Sequence, residues 1–204
     1  MITIIDYGMG NLGSIKNMLK KVGVNSEITA DHERLSQAKK LILPGVGAFD
    51  AGMMRLKASG LIEILNQKVV HQKTPILGIC LGMHLMTGGS EEGTLPGLGW
   101  VQARTIRFAP PVGSNLKVPH MGWNVVNPCK SSALMKEAEA EQRFYFVHSY
   151  YVHCENSGDA LLHAKYGNSF DAAFEVGNVM GVQFHPEKSH KFGMRILRNF
   201  AESY

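Results

Sequence analysis

The sequence predicts an α/β fold: a mostly parallel sheet with helices on both faces, and antiparallel strands added in the C-terminal half. Two patterns predict it. Strand-like and helix-like segments alternate through roughly the first 90 residues, and parallel neighbours need crossover helices between them. Beyond that stretch the apolar segments become strand-like, with turn residues between them, which suits antiparallel pairing.

Each element has its own signal. Ile2–Ile5 is a short β-branched run ended by Asp6-Tyr7-Gly8-Met9-Gly10, hence a buried strand and a glycine turn. Leu12, Ile15, Met18, Leu19 and Val22 share one helical face, and Gly23 sits where a C-cap glycine belongs. Residues 24–29 form a second strand, and Leu41-Ile42-Leu43, stopped by Pro44-Gly45, a third. A Met- and Leu-rich helical region runs from about residue 50 to 73, and residues 75–79 make a fourth strand that leads into another helix. Residues 99–108, 144–152, 160–166 and 172–184 are strand-like, and Val176-Gly177-Asn178-Val179 is a hairpin turn. Residues 189–200 close the chain as a helix, with Ser189 as its N-cap. No repeat or low-complexity linker divides the sequence, so one domain over residues 1–204 is expected.

Composition narrows the function classes. Hydrophobic residues at 45% and charged residues at 19% are ordinary for a globular chain. The formal charge is +4, but the basic residues are dispersed, with Lys20-Lys21 and Lys39-Lys40 the only adjacent pairs, so no nucleic-acid footprint is present. The three cysteines, Cys80, Cys129 and Cys154, form no C-x-x-C pair, which argues against a disulfide framework and for a reducing compartment. With no leader-like start and no membrane-length apolar run, a cytoplasmic location is expected.

Gly78-Ile79-Cys80-Leu81-Gly82 has the form G-x-nucleophile-x-G. In a nucleophile elbow a strand turns sharply into a helix and presents the reactive side chain at the top of the sheet. A cysteine there feels the positive end of the helix dipole, which favours the thiolate, and the N–H of Leu81 is placed to hold an oxyanion. A buried cysteine filling a core position is the competing interpretation, and the flanking glycines argue against it.

Val182-Gln183-Phe184-His185-Pro186-Glu187 ends a strand-like run. Residues two apart on an extended segment project to the same side, so His185 and Glu187 are expected to meet. The carboxylate then fixes the imidazole tautomer, and the other ring nitrogen takes the thiol proton. Most of the nine histidines need another explanation; His153-Cys154 lacks further ligands at metal-binding spacing, so no metal is expected. Pro44-Gly45-Val46-Gly47 follows a strand without the lysine of a phosphate loop, and its glycines leave backbone N–H groups free to turn toward a ligand. That loop, with Leu81, is the candidate second oxyanion donor.

Taken together, seven segments resemble the class I, triad-type glutamine amidotransferases, and most closely the glutaminase subunits of imidazole glycerol phosphate synthase. They are Asp6-Tyr-Gly-Met-Gly-Asn-Leu12, Pro44-Gly-Val-Gly-Ala-Phe49, Gly78-Ile-Cys-Leu-Gly-Met83, Ser90-Glu-Glu-Gly93, Pro119-His-Met-Gly-Trp-Asn124, Tyr145-Phe-Val-His-Ser-Tyr-Tyr151 and Gln183-Phe-His-Pro-Glu-Lys-Ser189. They occur in the family's order and span nearly the whole chain. The resemblance implies a doubly wound, flavodoxin-like sheet, no cofactor, and a catalytic triad of Cys80, His185 and Glu187. It implies Val46, Gly47 and Leu81 around the oxyanion, and Gly45, Gly47, His84, Glu92, Ser149 and Tyr150 around L-glutamine. At the position of His84 the family usually carries Gln, so glutamine binding is expected to be altered there.

A chain that releases ammonia and carries no nucleotide-binding motif needs an acceptor. The resemblance implies a (β/α)8-barrel cyclase partner in a heterodimer that makes imidazole glycerol phosphate in histidine biosynthesis. The contact surface would include Asn11, Met121, Trp123, Asn124 and Lys188. The alternative is a paralogous subunit supplying ammonia to a sugar amidotransferase of bacterial surface-polysaccharide synthesis.

Overall fold

In the computed structural model, which describes residues 1–111 and 113–204, the alternation resolves into a sheet wound in both directions. β1 (Ile2–Ile5), α1 (Leu12–Lys21), β2 (Ser26–Thr29), α2 (His32–Gln37), β3 (Leu41–Gly45), α3 (Phe49–Ala58), α4 (Leu61–Asn66), β4 (Ile76–Cys80) and α5 (Leu81–Leu85) follow in order. Then come β5 (Ala103–Arg107), β6 (His120–Pro128), β7 (Gln142–His148), β8 (Tyr150–Cys154), β9 (Ala160–Tyr166), β10 (Asn168–Val176), β11 (Val179–Val182) and α6 (His190–Ser203). The strand order is β2-β1-β3-β4-β11-β10-β9-β6-β7, with the β5–β8 pair attached through β10. From β2 to β11 every pairing is parallel. From β11 through β10, β9 and β6 to β7 every pairing is antiparallel.

Alternation along the parallel strands divides the core between two faces. Ile2 and Ile4, Ile42, Leu77 and Ile79 pack with Ile15 and Leu19 of α1 and with Ile196 and Phe200 of α6. Ile5, Leu41, Leu43 and Ile76 pack on the other side with Leu35, Phe49, Leu56, Leu65 and Leu85, from α2 to α5. Strands covered on both faces read as unbroken apolar runs, which is why β1, β3 and β4 are buried at every position.

Several boundaries differ from the sequence expectation. The helical region at 50–73 is broken: Gly60 takes a left-handed conformation (φ 71°) between α3 and α4, and the chain widens into a π-helical turn at Gln67–His71. The strand expected over 144–152 is two strands that part at Ser149, β7 pairing with β6 and β8 with β5. The run 172–184 is a hairpin of β10 and β11 turning at Gly177, as its turn signal implied. Strand β6 was not foreseen, because Gly122 and the terminal Pro128 are residues that strands disfavour and its apolar Met121, Trp123 and Val125 face outward. Ser189 stands just before α6 but caps nothing; its Oγ donates to His185 O (2.7 Å) and accepts from Tyr145 N (3.0 Å). Among the described residues no helix is long and apolar enough to cross a membrane.

Candidate active site

The parallel strands end together. Gly45 of β3 lies in register with Cys80 of β4, and Val182 of β11 with Ile79. In a doubly wound sheet, ligands bind beyond the carboxyl ends of such strands. Cys80 takes φ 52°, a left-handed conformation unusual for a side chain other than glycine, as the chain turns from β4 directly into α5. Strain of this kind is of order 1–3 kcal/mol and is retained where packing dictates it. Here the glycines permit the packing. A Cβ on Gly78 would lie 2.8 Å from Met86 Sδ and 2.9 Å from the Gly82 carbonyl, and a Cβ on Gly82 would collide with the Leu43 carbonyl. Helix α5 has only five residues, so its dipole is weak, and the local N–H of Leu81, unpartnered within the helix, is the stronger electrostatic feature.

His185 and Glu187 meet as expected, by a different route. Glu187 lies in a 3₁₀ turn at Pro186–Lys188, not on an extended strand, and its Oε1 sits 2.8 Å from His185 Nδ1. Both side chains are nearly inaccessible to solvent. The segment is clamped to β7: His185 N donates to Tyr145 O at 3.0 Å, and Ser189 Oγ bridges His185 O and Tyr145 N. On the far edge of the ring, Nε2 has no hydrogen-bond partner, and His185 lines the same cavity as Cys80. Burial works against a charged ring, but the neighbouring Cys80 sulfur and the Glu187 carboxylate outweigh it and hold the His185 pKa up at about 10.

The cavity has a volume of about 300 Å³ and is walled by Val46, Gly47, Cys80, Leu81, His84, Glu92, Pro119, Val147, His148, Ser149, Tyr150 and His185. It is small, at the lower end for ligand pockets. The structure thus brings together nearly every residue assigned to catalysis or substrate. The exceptions are Glu187, which stands behind the His185 ring, and Gly45, which lies beneath the wall: a Cβ there would meet Tyr7 Oη at 2.6 Å and Leu81 Cβ at 2.9 Å. Val46 is exposed and Gly47 has φ 107°, so this loop reaches the cavity in a conformation that favours glycine. Glu92 Oε2 accepts from Phe49 N at 3.0 Å, and burial raises its pKa. His84 is buried in the wall, with Nε2 2.7 Å from Gln183 Oε1, and burial pushes its pKa down to about 4.

Four contributors were not foreseen. Asp50 accepts from Thr94 N and Leu95 N and so anchors the segment that carries Glu92; these N–H groups lower its pKa. Tyr7 Oη donates to Pro44 O at 2.6 Å beneath the glycine loop. His148 and Gln183 each touch a site residue, yet in the sequence they are only neighbours of more conspicuous ones. The only signal for Tyr7, His148 and Gln183 was their place inside the resembling segments, and Asp50 lies just beyond one of them. Cys129 and Cys154 are free thiols away from this cavity. His153 and Cys154 point to opposite faces of β8, one exposed and one buried, so they cannot share a ligand.

The surface expected to meet a partner is also defined. Met121, Trp123 and Val125 alternate along one face of β6 and are exposed at 61%, 45% and 40%. Trp123 stacks on His190, and Lys188 Nζ lies 5.7 Å from the centre of the Tyr145 ring. Asn11 caps α1 through a bond from Ser14 N, and Asn124 Nδ2 donates to Lys165 O.

Known proteins resemble the chain over nearly its whole length. The chain is 57% identical over 200 residues to imidazole glycerol phosphate synthase subunit HisH 2 of Methanococcus maripaludis, covering 98% of each chain. It is 49% identical over 202 residues to the subunit of the same name from Pseudomonas aeruginosa, covering 99% of each. A crystal structure described as a glutamine amidotransferase superposes with a TM-score of 0.73 at 21% identity, over 99% of this chain and 98% of that one, which speaks for the fold alone. The family described as glutamine amidotransferase class-I matches residues 3–203, so a strained cysteine and an imidazole–carboxylate pair at the strand ends stand in a chain that belongs to the class I glutamine amidotransferases.

Proposed function

We propose that the chain is the glutaminase subunit of an imidazole glycerol phosphate synthase, releasing ammonia from glutamine for a partner subunit. The observation that carries this is the His185 ring. One nitrogen is fixed by Glu187, and the other is buried without a hydrogen-bond partner in a ring that lines the cavity of Cys80 and Glu92. In this scheme the proton of the thiol already rests on His185, whose ring is charged at neutral pH, and Sγ attacks the side-chain amide carbon of glutamine as the thiolate. The oxyanion of the tetrahedral intermediate is held by N–H groups of Leu81 and the Gly47 loop. Its collapse breaks the C–N bond, ammonia leaves with the proton from His185, and a glutamyl thioester remains on Cys80. Water, deprotonated by His185, cleaves the thioester, and glutamate departs with the sulfur left as the thiolate beside the charged ring. Glu92 pairs with the ammonium of the substrate, and the Ser149–Tyr150 backbone holds its carboxylate. Both lie on the same wall.

Free ammonia is protonated in neutral water and loses its nucleophilicity, which favours direct delivery to a docked subunit. The relatives' names support a synthase complex, and the apolar stripe of Met121 and Trp123 suits a hot spot for a (β/α)8-barrel cyclase. Docking would also rotate an N–H of the Val46–Gly47 loop into the oxyanion site. Glutamate release by the chain with and without the cyclase tests both points. No release in either case removes the glutaminase assignment, and equal release removes the activation.

A second use of the same chemistry, supplying a sugar amidotransferase, is favoured by His84, which stands where the resembling family usually carries Gln. Complementation of a histidine auxotroph separates the two: growth supports the first.

A further inference from the structure

Gln183 lies one residue beyond β11 and is fully buried. Its backbone is held by a bond from its N–H to Ala172 O at 2.9 Å. Its side chain links two residues of the cavity wall: Oε1 lies 2.7 Å from His84 Nε2, and Nε2 donates toward Cys80 Sγ at 3.9 Å. Proton accounting fixes this arrangement once the sulfur is ionised. A carbonyl oxygen only accepts, so His84 carries its hydrogen on Nε2. The opposite setting of the amide would turn Oε1 toward the sulfur, which a thiol could still meet with its S–H but a thiolate could not, so ionisation of the sulfur selects the orientation seen.

We propose that Gln183 is a further catalytic residue, donating an N–H to the nucleophilic sulfur, and that His84 is the positioning residue that locks the amide in that orientation. When the S–H bond breaks and the proton moves to His185, the electron pair left on Sγ faces two donors, the imidazolium and the Gln183 N–H. When the S–C bond forms, the charge moves to the oxyanion and the Gln183 bond weakens. The family's usual Gln at the position of His84 carries a donor and an acceptor on a flexible chain, whereas the imidazole holds a single donor rigidly against Oε1. The substitution that looked like a lost substrate handle thereby becomes a support for the nucleophile.

This rests on Cys80 being the nucleophile of the proposed reaction, and the test keeps the two apart by measuring thiolate formation without glutamine. The probe is iodoacetamide, and the readout is the rate of Cys80 alkylation in the full chain as a function of pH, with the Cys80→Ala protein subtracting the exposed Cys129. The other titratable groups on or behind the same wall are Tyr7, Glu92, His148, Tyr150, His185 and Glu187. The expected result for Gln183→Met is a profile whose midpoint moves up by about one pH unit. A profile that overlays the parent's overturns the proposal. Should that variant fail to fold, the His84 pair decides: His84→Leu is expected to shift the midpoint the same way, and His84→Gln, which keeps a donor, to shift it less. Identical midpoints for both overturn the positioning role. A shifted profile in a chain that releases no glutamate even with the cyclase would end the glutaminase assignment and leave the support of the sulfur standing.

Discussion

His120 Nδ1 lies 2.9 Å from His148 Nε2, and the two rings form a buried chain between the surface of β6 and the cavity. His148 Nδ1 donates to the Tyr150 carbonyl at 2.7 Å, so its Nε2 is the acceptor and His120 Nδ1 carries the hydrogen. His120 Nε2 is then left to accept from Asn124 Nδ2 at 3.3 Å. Burial holds both rings well below the usual imidazole range, His120 at about 4. The pair therefore stays neutral, and each ring keeps one tautomer.

Replacing His148 by Phe keeps the aromatic packing on Phe108 but removes the donor to Tyr150 O. The Ser149–Tyr150 segment should loosen, and KM for glutamine should rise about tenfold, since an unsatisfied buried group costs about 1–3 kcal/mol. Steady-state kinetics on the complex check this. An unchanged KM with a lower melting temperature would make the pair purely structural.

Acid should destabilise the fold through the same chemistry. The folded pKa values of His84 and His120, about 4, lie below the unfolded value of 6.5, because burial disfavours the charged ring. Below pH 6.5 the unfolded chain therefore binds more protons, and stability falls as pH drops toward 4. Thermal melts across that window should show the fall, and His84→Gln should flatten it.

His185 has the opposite sign. Its folded pKa, about 10, exceeds the unfolded 6.5, so its contribution is complete below 6.5 and fades as pH rises through 10. Glu187→Gln removes one of the two groups that raise it. Melting temperatures of this variant should decline less between those limits than the parent's, and parallel curves would show that Glu187 does not hold the charge.

Gly82→Ala should be severe, because the new methyl would meet the Leu43 carbonyl inside the sheet. A loss of about 3 kcal/mol or more is expected, together with loss of glutamate release. Gly13→Ala, in α1 with nothing near its Cβ, should be neutral or stabilising by less than about 1 kcal/mol. Chemical denaturation of the two variants measures the contrast.

Cys80→Ala should abolish glutamate release, and His185→Ala should lower it by about a hundredfold or more. Isotope-labelled glutamine assayed with the cyclase present checks both. Residual turnover in Cys80→Ala would place the nucleophile elsewhere.

Local signals were enough for the parallel half of the sheet and for the elbow. Apolar runs such as Leu41-Ile42-Leu43 and the glycines around Cys80 state their own geometry, because strand burial and close backbone approach depend on residues adjacent in the chain. The pairing of His185 with Glu187 was legible too, although a turn and not an extended strand delivers it. What sequence order could not express is contact across it. Strand β7 and strand β8 part at Ser149 because they pair with different neighbours, and that break puts Ser149 and Tyr150 on the cavity wall. His84 meets Gln183 across 99 positions of chain, and His120 meets His148 across 28. Periodicity and motif spacing act within an element; which buried polar groups satisfy one another is decided only when separate elements are packed and water is excluded, so the hydrogen-bonded surroundings of the nucleophile belong to the tertiary structure.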